Sequence, residues 1–478
     1  MRARNDSPEC VWCECQLGSV HDRQAGVSSS HGRLNRRIHA IDVENCQGIK
    51  TQTRSFGHHL RGFVGPFQEG ESAVRVQFCV ALLRGHTPII SNRCSTVSEA
   101  PCMHAYACVS KRGHVYGHKP YAGTMDFMLA ASLRSPGALT LEKRPIPALG
   151  PRDVLLAVEA TTLCGTDLRI ATGQKTNGVT PGVVLGHEIA ARVWRIGDQL
   201  RAGVDVPAPG TQVGLAPEIT CGHCDACVSG RSNVCAHMRL FGTGVDGGLA
   251  DVILVPEAAL ACMTPVAREI APPLLALAEP LSCCLRATTR LPIGADSRVL
   301  VLGTGPIGLI HCALAVRAGA RVMACGRAAR LEPARTMGAE ITTTSQGDEL
   351  VHEVREWTDG MGADVVIVAV GDPGLVPVAI QCARIGGHIS FFAGFPVGAM
   401  AQIDPNLVHY RELTVSGSAN ATLDDYASAV EMLSTGSIDL SQLITHEFAL
   451  SDVGTALDAV RTRAGLKIAV RPAGVVGR

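Results

Sequence analysis

An excess of charge of either sign is what this sequence most plainly lacks. Its 43 Lys and Arg are balanced by 43 Asp and Glu over 478 residues. The chain as a whole therefore has no field that would draw it to nucleic acid or to an anionic membrane. Aromatic residues are scarce at 4%, which leaves few platforms for stacking bases. A secretory signal is missing from the opening residues: 1–20 contain no apolar core, and Asp6, Glu9 and Glu14 are unlike a transit peptide. One long run, residues 299–316, is free of Asp, Glu, Lys and Arg, but it holds Gly303, Gly305, Pro306 and Gly308. A buried strand, turn and helix explain that run better than a membrane span. No internal repeat is evident. The 19 cysteines therefore read as thiols of a reducing, cytoplasmic compartment, and their clusters as metal sites rather than a disulfide framework.

What is present is a hydrophobic share of 46% against 18% charged residues, enough for two or three domains with real cores. The neutral total hides an asymmetry. Residues 1–124 hold 15 Lys and Arg against 9 Asp and Glu, and the remainder 28 against 34. The same front segment holds 8 of the 19 Cys and 9 of the 17 His, with no sustained helical or strand period. Cys10, Cys13 and Cys15 invite a metal reading. The simpler expectation is a poorly ordered extension, or upstream sequence before a natural start at Met125, dispensable for activity.

From Met125 the pattern is regular. Strands are expected at 127–133, 154–160 and 183–197 among Gly- and Pro-rich turns, which suggests a mostly β region to about residue 280. The rhythm then alternates: strand 298–302, turn 303–308, helix 309–318, strand 321–325, helix 328–337 and strand 364–370. Such βαβ repetition gives a parallel, doubly wound sheet. A helix at 423–434 and a final strand at 467–470 complete the reading.

Three constellations carry chemistry. Cys221, Cys224, Cys227 and Cys235 are separated by two, two and seven residues, a spacing that can close four thiolates on one structural zinc. His223 inside the loop is surplus to a saturated metal and is expected to face solvent. The second set is dispersed: Cys164-Gly-Thr166-Asp167, Gly186-His187-Glu188 and Glu279-Pro280. A thiolate, an imidazole and a carboxylate make a catalytic zinc site when a fourth position stays open, although each piece alone is weak. The third is Gly303-Thr-Gly305-Pro306-Ile307-Gly308, after a strand and opening a helix. There the glycines let backbone approach a pyrophosphate at a helix N-terminus. The competing reading is an ordinary glycine-rich turn.

In this combination and order the chain resembles the medium-chain zinc-dependent alcohol dehydrogenases, and within them the sorbitol (polyol) and threonine dehydrogenase branch. The motifs that carry the resemblance are the five just quoted, with Ala278-Glu-Pro-Leu-Ser282 around Glu279. They span about 125–478, and residues 1–124 have no counterpart. The resemblance implies an α/β fold in two parts. A GroES-like, mostly β catalytic domain would form from 125–284 with 421–478, and a Rossmann domain from 285–420. It also implies roles. Cys164 and His187 look like ligands of a catalytic zinc and Glu188 like the third. Glu279 would be a fourth ligand or would hold the zinc-bound water. Thr166 looks like the hydroxyl that takes the alcohol proton. Hydride would pass between a small secondary alcohol, best a polyol, and NAD(P), with pocket walls from loops such as 241–248. Dimers or tetramers are implied, with contacts near the four-cysteine loop and the strand 412–416.

Two positions depart from the family pattern. Arg169 stands where many relatives place a proton-relaying His. An Arg stays charged at working pH and is a poor shuttle; it is expected to meet a cofactor phosphate, to meet a carboxylate or phosphate of the substrate, or simply to face water. The second strand of the Rossmann part ends Ala324-Cys325-Gly326-Arg327, without the acid that receives ribose hydroxyls in NAD enzymes. With Arg330 close behind, a 2′-phosphate is favoured, so NADP is expected over NAD. The rival readings are an NADPH-dependent carbonyl reductase, a retired enzyme that only binds nucleotide, and a zinc-based nucleic-acid binder. All metal ligands are in place, which argues against retirement, and no basic helix follows Cys235, which argues against the last.

Overall fold

The computed structural model describes residues 127–474 and, before them, strand segments between Cys10 and Gly117. The chain divides between Thr124 and Met125 into two compact units. In the first, strands Cys10–Gln16, Val74–Ala81, Ile89–Thr96, Ala105–Val109 and Val115–Gly117 pair antiparallel in that order. Val27–Ser29 pairs with Leu60–Arg61. The expectation of poor order for 1–124 otherwise falls on residues outside those described, as do the thiols of Cys10, Cys13 and Cys15.

The second unit has two halves. The first is organised on Val154–Leu163, a mostly apolar strand buried along almost its whole length. Such a run fits a strand buried on both faces. Val154, Leu156 and Val158 enter one core, while Leu155, Ala157 and Leu163 enter another, as the two-residue period of a strand requires. Around it the sheet runs Met263–Pro265, Gln212–Leu215, Glu188–Ile196, Val154–Leu163, Lys467–Arg471, Ile444–Ala449, with Val252–Val255 also paired to Val154–Leu163. The tail strand Lys467–Arg471 is thereby inserted beside residues 161–163, three hundred positions earlier in sequence. The expected strand 183–197 begins only at Glu188. Residues before it connect through an isolated bridge, Val184 to Ser132.

The second half is a six-stranded parallel sheet in the order Ile341–Thr343, Arg321–Cys325, Arg298–Leu302, Ala363–Val368, Ala383–Phe391, Thr414–Gly417. The crossover order, with the first strand central, is that of a doubly wound nucleotide fold. Helix Pro306–Arg317 starts inside the turn expected at 303–308, ahead of the expected start at 309, with Pro306 where a missing N–H costs nothing. The expected helix 328–337 is a short 3₁₀ turn, Ala328–Arg330, followed by Leu331–Thr336. A helix that the sequence reading missed, Ala278–Thr288, joins the halves and packs against Pro306–Arg317 and Leu423–Thr435. Its Pro280 looks like a breaker but lies in the first turn, where it is tolerated. Among the described residues no helix is long and apolar enough to cross a membrane.

Candidate active site and metal centres

Cys164 caps the N-terminus of helix Gly165–Ala171, directly after the spine strand. Asp167, fully buried on that helix, holds the turn: its Oδ2 accepts the Cys164 N–H at 2.9 Å. Its Oδ1 accepts the Gly186 N–H at 3.2 Å and lies 3.2 Å from His187 Nδ1. The last contact is an ion-pair approach with poor hydrogen-bond alignment. Asp167 thus braces both ligand segments, and its approach to Nδ1 leaves Nε2 as the ring atom for a metal. Burial alone would lower the His187 pKa, but the charges of Asp167 and Cys164 outweigh it and raise it well above the ordinary value. Desolvation likewise opposes ionisation of Cys164, and the neighbouring His187 overcomes it, so the thiol is lowered.

Cys164, His187 and Glu188 bring one sulfur, one nitrogen and one oxygen within 4.8 Å of one another. That is a donor set for a zinc with room for a further ligand. Glu188 opens strand Glu188–Ile196 and is buried. Its carboxylate also accepts from the Thr162 hydroxyl and, on both oxygens, from the ammonium of Lys467. Lys467 is buried as well, so this is an enclosed ion pair between the spine sheet and the tail. Nothing in the local sequence marked Lys467 or Thr162.

Glu279, expected with Cys164, His187 and Glu188, is grouped instead with Glu218 and Cys283; the Cys283 thiol lies 3.7 Å from its Oε1. Burial holds the Glu279 carboxyl well above the usual range, with the charges of Glu188 and Glu218 adding to the effect and His187 opposing it. Burial also lifts Glu218 to about 7. Thr166 is half-buried, and Arg169 Nη2 donates to its Oγ1 at 3.2 Å. The loop at 241–248 packs on the ligand segment, with Gly248 N–H donating to Gly186 O at 2.9 Å.

The four-cysteine loop leaves strand Glu218–Ile219 and returns as Arg239–Leu240. Its sulfurs lie within 4.8 Å of one another. Four of the separations are 3.5 Å (Cys221–Cys235), 3.6 Å (Cys224–Cys227), 3.8 Å (Cys224–Cys235) and 4.0 Å (Cys221–Cys227). A tetrahedron with a Zn–S bond near 2.3 Å has edges of about 3.8 Å, so the cage fits that ion. Backbone N–H groups of Cys227 and Ala236 bring Cys224 down to about 6, while desolvation and the adjacent Cys224 push Cys227 up to about 12. Crowded thiols divided in this way suit a cation that takes all four as thiolates. His223 is exposed, as expected.

The strand Arg298–Leu302 leads into the glycine turn. Gly303 has φ +111°, and a Cβ on Gly308 would collide with the Gly303 carbonyl, so helix and turn close tightly only with glycine at both. Over Gly305 the nearest side chain is Arg330, whose Nη1 would lie 3.6 Å from an added Cβ. This cradle is open to a pyrophosphate, with Ile307 and Pro306 in the first helical turn. At the end of the second strand the Cys325 thiol points away, toward Ser345 O at 3.3 Å. Arg327 is exposed and Arg330 half-buried, with Arg330 Nη2 donating to Gly465 O at 2.9 Å. Burial and then the charges of Arg327 and Arg463 lower the Arg330 pKa. Arg463, contributed by the tail, was not foreseen; it carries a left-handed backbone at the end of helix Val453–Thr462.

Comparison with known proteins supports the same reading. Residues 150–265 match the alcohol dehydrogenase GroES-like domain and residues 306–435 the zinc-binding dehydrogenase domain. The chain is 31% identical to an L-threonine 3-dehydrogenase of Pyrococcus horikoshii over 327 residues, 67% of this chain and 91% of that one. It is 29% identical to a D-arabitol-phosphate dehydrogenase of Enterococcus avium over 333 residues, 68% of this chain and 91% of that one. A solved zinc-binding dehydrogenase from Sinorhizobium meliloti, bound to NADP, superposes with a TM-score of 0.66 at 31% identity, covering 72% of this chain and 99% of its own.

Proposed function

We propose that this chain, which belongs to the medium-chain, zinc-dependent alcohol dehydrogenases in their polyol and threonine branch, transfers a hydride between a polyol-like secondary alcohol and NADP. The observation that carries this is the convergence of Cys164, His187 and Glu188 donor atoms within 4.8 Å, in a unit that also holds the glycine cradle. The zinc these residues would hold supplies Lewis acidity that makes the alcohol proton removable near neutral pH. The nicotinamide supplies the hydride acceptor.

The chain's own groups do the rest. Asp167 fixes the ring of His187. Thr166 takes the alcohol proton at Oγ1. Glu279 holds the fourth position or the water there. Cys221, Cys224, Cys227 and Cys235 hold a second, structural zinc. Gly303, Gly305 and Gly308 receive the pyrophosphate. Arg327 and Arg330, with Arg463, favour the 2′-phosphate of NADP. Among the described residues none of these three arginines has a carboxylate partner, which leaves their charge for a ligand.

Carbonyl reduction with NADPH uses the same groups in reverse, and the arginine cluster favours it as the second reading. A homodimer or homotetramer is supported by Thr414–Gly417, a largely exposed strand at the edge of the parallel sheet. Thiolate ligands fit a cytoplasmic setting. Residues 1–124 are proposed to be dispensable for turnover.

The test is reduced-nicotinamide absorbance with zinc-loaded protein on polyols, sugars, simple secondary alcohols and threonine, with NAD and NADP in parallel. Activity that chelators abolish and that NADP supports better is the expected result. Bound zinc and bound cofactor without turnover of any alcohol or ketone would overturn the reading.

A further inference from the structure

The helix that begins at Cys164 presents a cation that has found no counter-charge. Elsewhere in this half Arg134, Arg144, Arg152, Arg192 and Arg201 each reach a carboxylate, while among the described residues Arg195, Arg231, Arg239 and Arg268 do not. Arg169 instead donates to the Thr166 hydroxyl at 3.2 Å. The chain then turns back, and the Lys175 N–H donates to the Arg169 carbonyl at 3.0 Å. The Lys175 side chain is half-buried beside the same helix. Burial and the charge of Arg169 pull its pKa down, while Cys164 and Asp167 oppose that. Among the described residues neither cation has a carboxylate partner.

We infer that Arg169 and Lys175 form an oxyanion-binding arm of the active site, and that the substrate is a secondary alcohol carrying a phosphate or carboxylate a few carbons from the reacting carbon. This rests on the dehydrogenase reading above. Thr166 hands on the alcohol proton in that reading, so a guanidinium bonded to its Oγ1 at 3.2 Å lies beside the place of the alcohol. The planar fork of Arg pairs two oxygens of a carboxylate or phosphate at once, and Lys adds a point charge. Arg169 is exposed and Lys175 half-buried, and a neutral polyol offers only hydroxyls, which neutralise neither cation. The cofactor's anions have their own receptors in the N-terminus of Pro306–Arg317 and in Arg327 and Arg330. In the reaction the alcohol gives up a hydride to the nicotinamide and a proton through Thr166, and becomes a ketone. The anionic group is unchanged.

The experiment compares matched substrates on the full-length, zinc-loaded enzyme with NADP: a pentitol against its terminal phosphate, and the same pentitol against the aldonate of equal length. An anionic member is expected to show at least tenfold higher kcat/KM, mainly through KM. Whichever of phosphate and carboxylate gains more names the source. Arg169→Ala and Lys175→Ala should each lower kcat/KM for that member tenfold or more, and for the neutral member far less. Arg169→Lys should restore part. NADPH affinity, read by fluorescence titration, should be unchanged. Equal efficiency on charged and neutral members overturns the inference and leaves the dehydrogenase reading intact. So does a loss confined to NADPH affinity, which would give the cations to the cofactor. If nothing is turned over, calorimetry of pentitol phosphate with the NADP-loaded enzyme decides. Binding lost in both variants upholds the anion arm and removes the dehydrogenase reading. No binding by the wild type overturns the inference.

Discussion

Lys467, near the end of the chain, donates its buried ammonium to both carboxylate oxygens of Glu188, 279 residues earlier. The pair ties the tail strand to the segment that carries His187. An enclosed ion pair contributes little over a well-packed apolar one, but removing one partner strands the other charge. Lys467→Met should therefore destabilise the fold by about 3–5 kcal/mol, read as a lower urea midpoint, and should weaken zinc retention. Lys467→Arg should recover most of both. A Met variant as stable as the wild type, both measured without zinc, would remove the stabilising role of the pair.

Cys235 is the buried corner of the four-thiol cage. Cys235→Ser should lose one zinc equivalent per chain by elemental analysis and lower Tm, since the loop between Glu218–Ile219 and Arg239–Leu240 has little core of its own. Unchanged zinc content would remove the structural role.

Arg327 stands exposed at the end of the second strand of the parallel sheet. Arg327→Asp should shift the NADP-to-NAD ratio of kcat/KM at least tenfold toward NAD, because a carboxylate there repels a 2′-phosphate and accepts from ribose hydroxyls. A wild-type enzyme at least tenfold more efficient with NAD would refute the NADP preference outright.

His311 is fully buried in helix Pro306–Arg317, edge-on to Phe392 with ring centroids 4.6 Å apart. Burial pulls its imidazole down to about 3 from 6.5. A lowered pKa means that the folded chain binds fewer protons than the unfolded one in that window. Its contribution to stability is thus fully present above pH 6.5 and is lost as pH falls toward 3. By pH 5 the loss is about 2 kcal/mol. His311→Leu should flatten the fall in urea-unfolding free energy between pH 7 and 5 by that amount. Parallel profiles would show that the ring takes up its proton in the folded state.

The boundary between the two compact units lies at Met125. A chain beginning there should fold, bind zinc and keep the kcat/KM of the full-length protein. Failure to fold, read by circular dichroism and Tm, would make residues 1–124 part of the enzyme.

The parallel character of the second sheet and most elements were legible because their signals are local. Arg298–Leu302 and Arg321–Cys325 fall where the apolar runs put them. Helix Leu423–Thr435 begins with Thr422 and Asp425 capping each other, a pairing within four residues. Helix Ala278–Thr288 was not legible, because Pro280 reads as a stop until it is known to lie in the first turn. The brace supplied by Asp167 had a signal in hand: an acid three residues after a helix cap is positioned to turn back on it.

The four-thiol loop and the glycine-rich turn could be singled out from the sequence because each is built from residues a few positions apart. Cys221 to Cys235 and Gly303 to Gly308 carry their geometry in their spacing. The tertiary structure alone decided which distant charges meet. Lys467 reaches Glu188 only because the tail strand inserts beside Val154–Leu163. Arg463 reaches Arg330 only because the helix before that strand ends next to the glycine cradle. Such pairings depend on the path of the whole chain, and the buried one, Lys467 with Glu188, sets the charge of the site far more strongly than an exposed pair would.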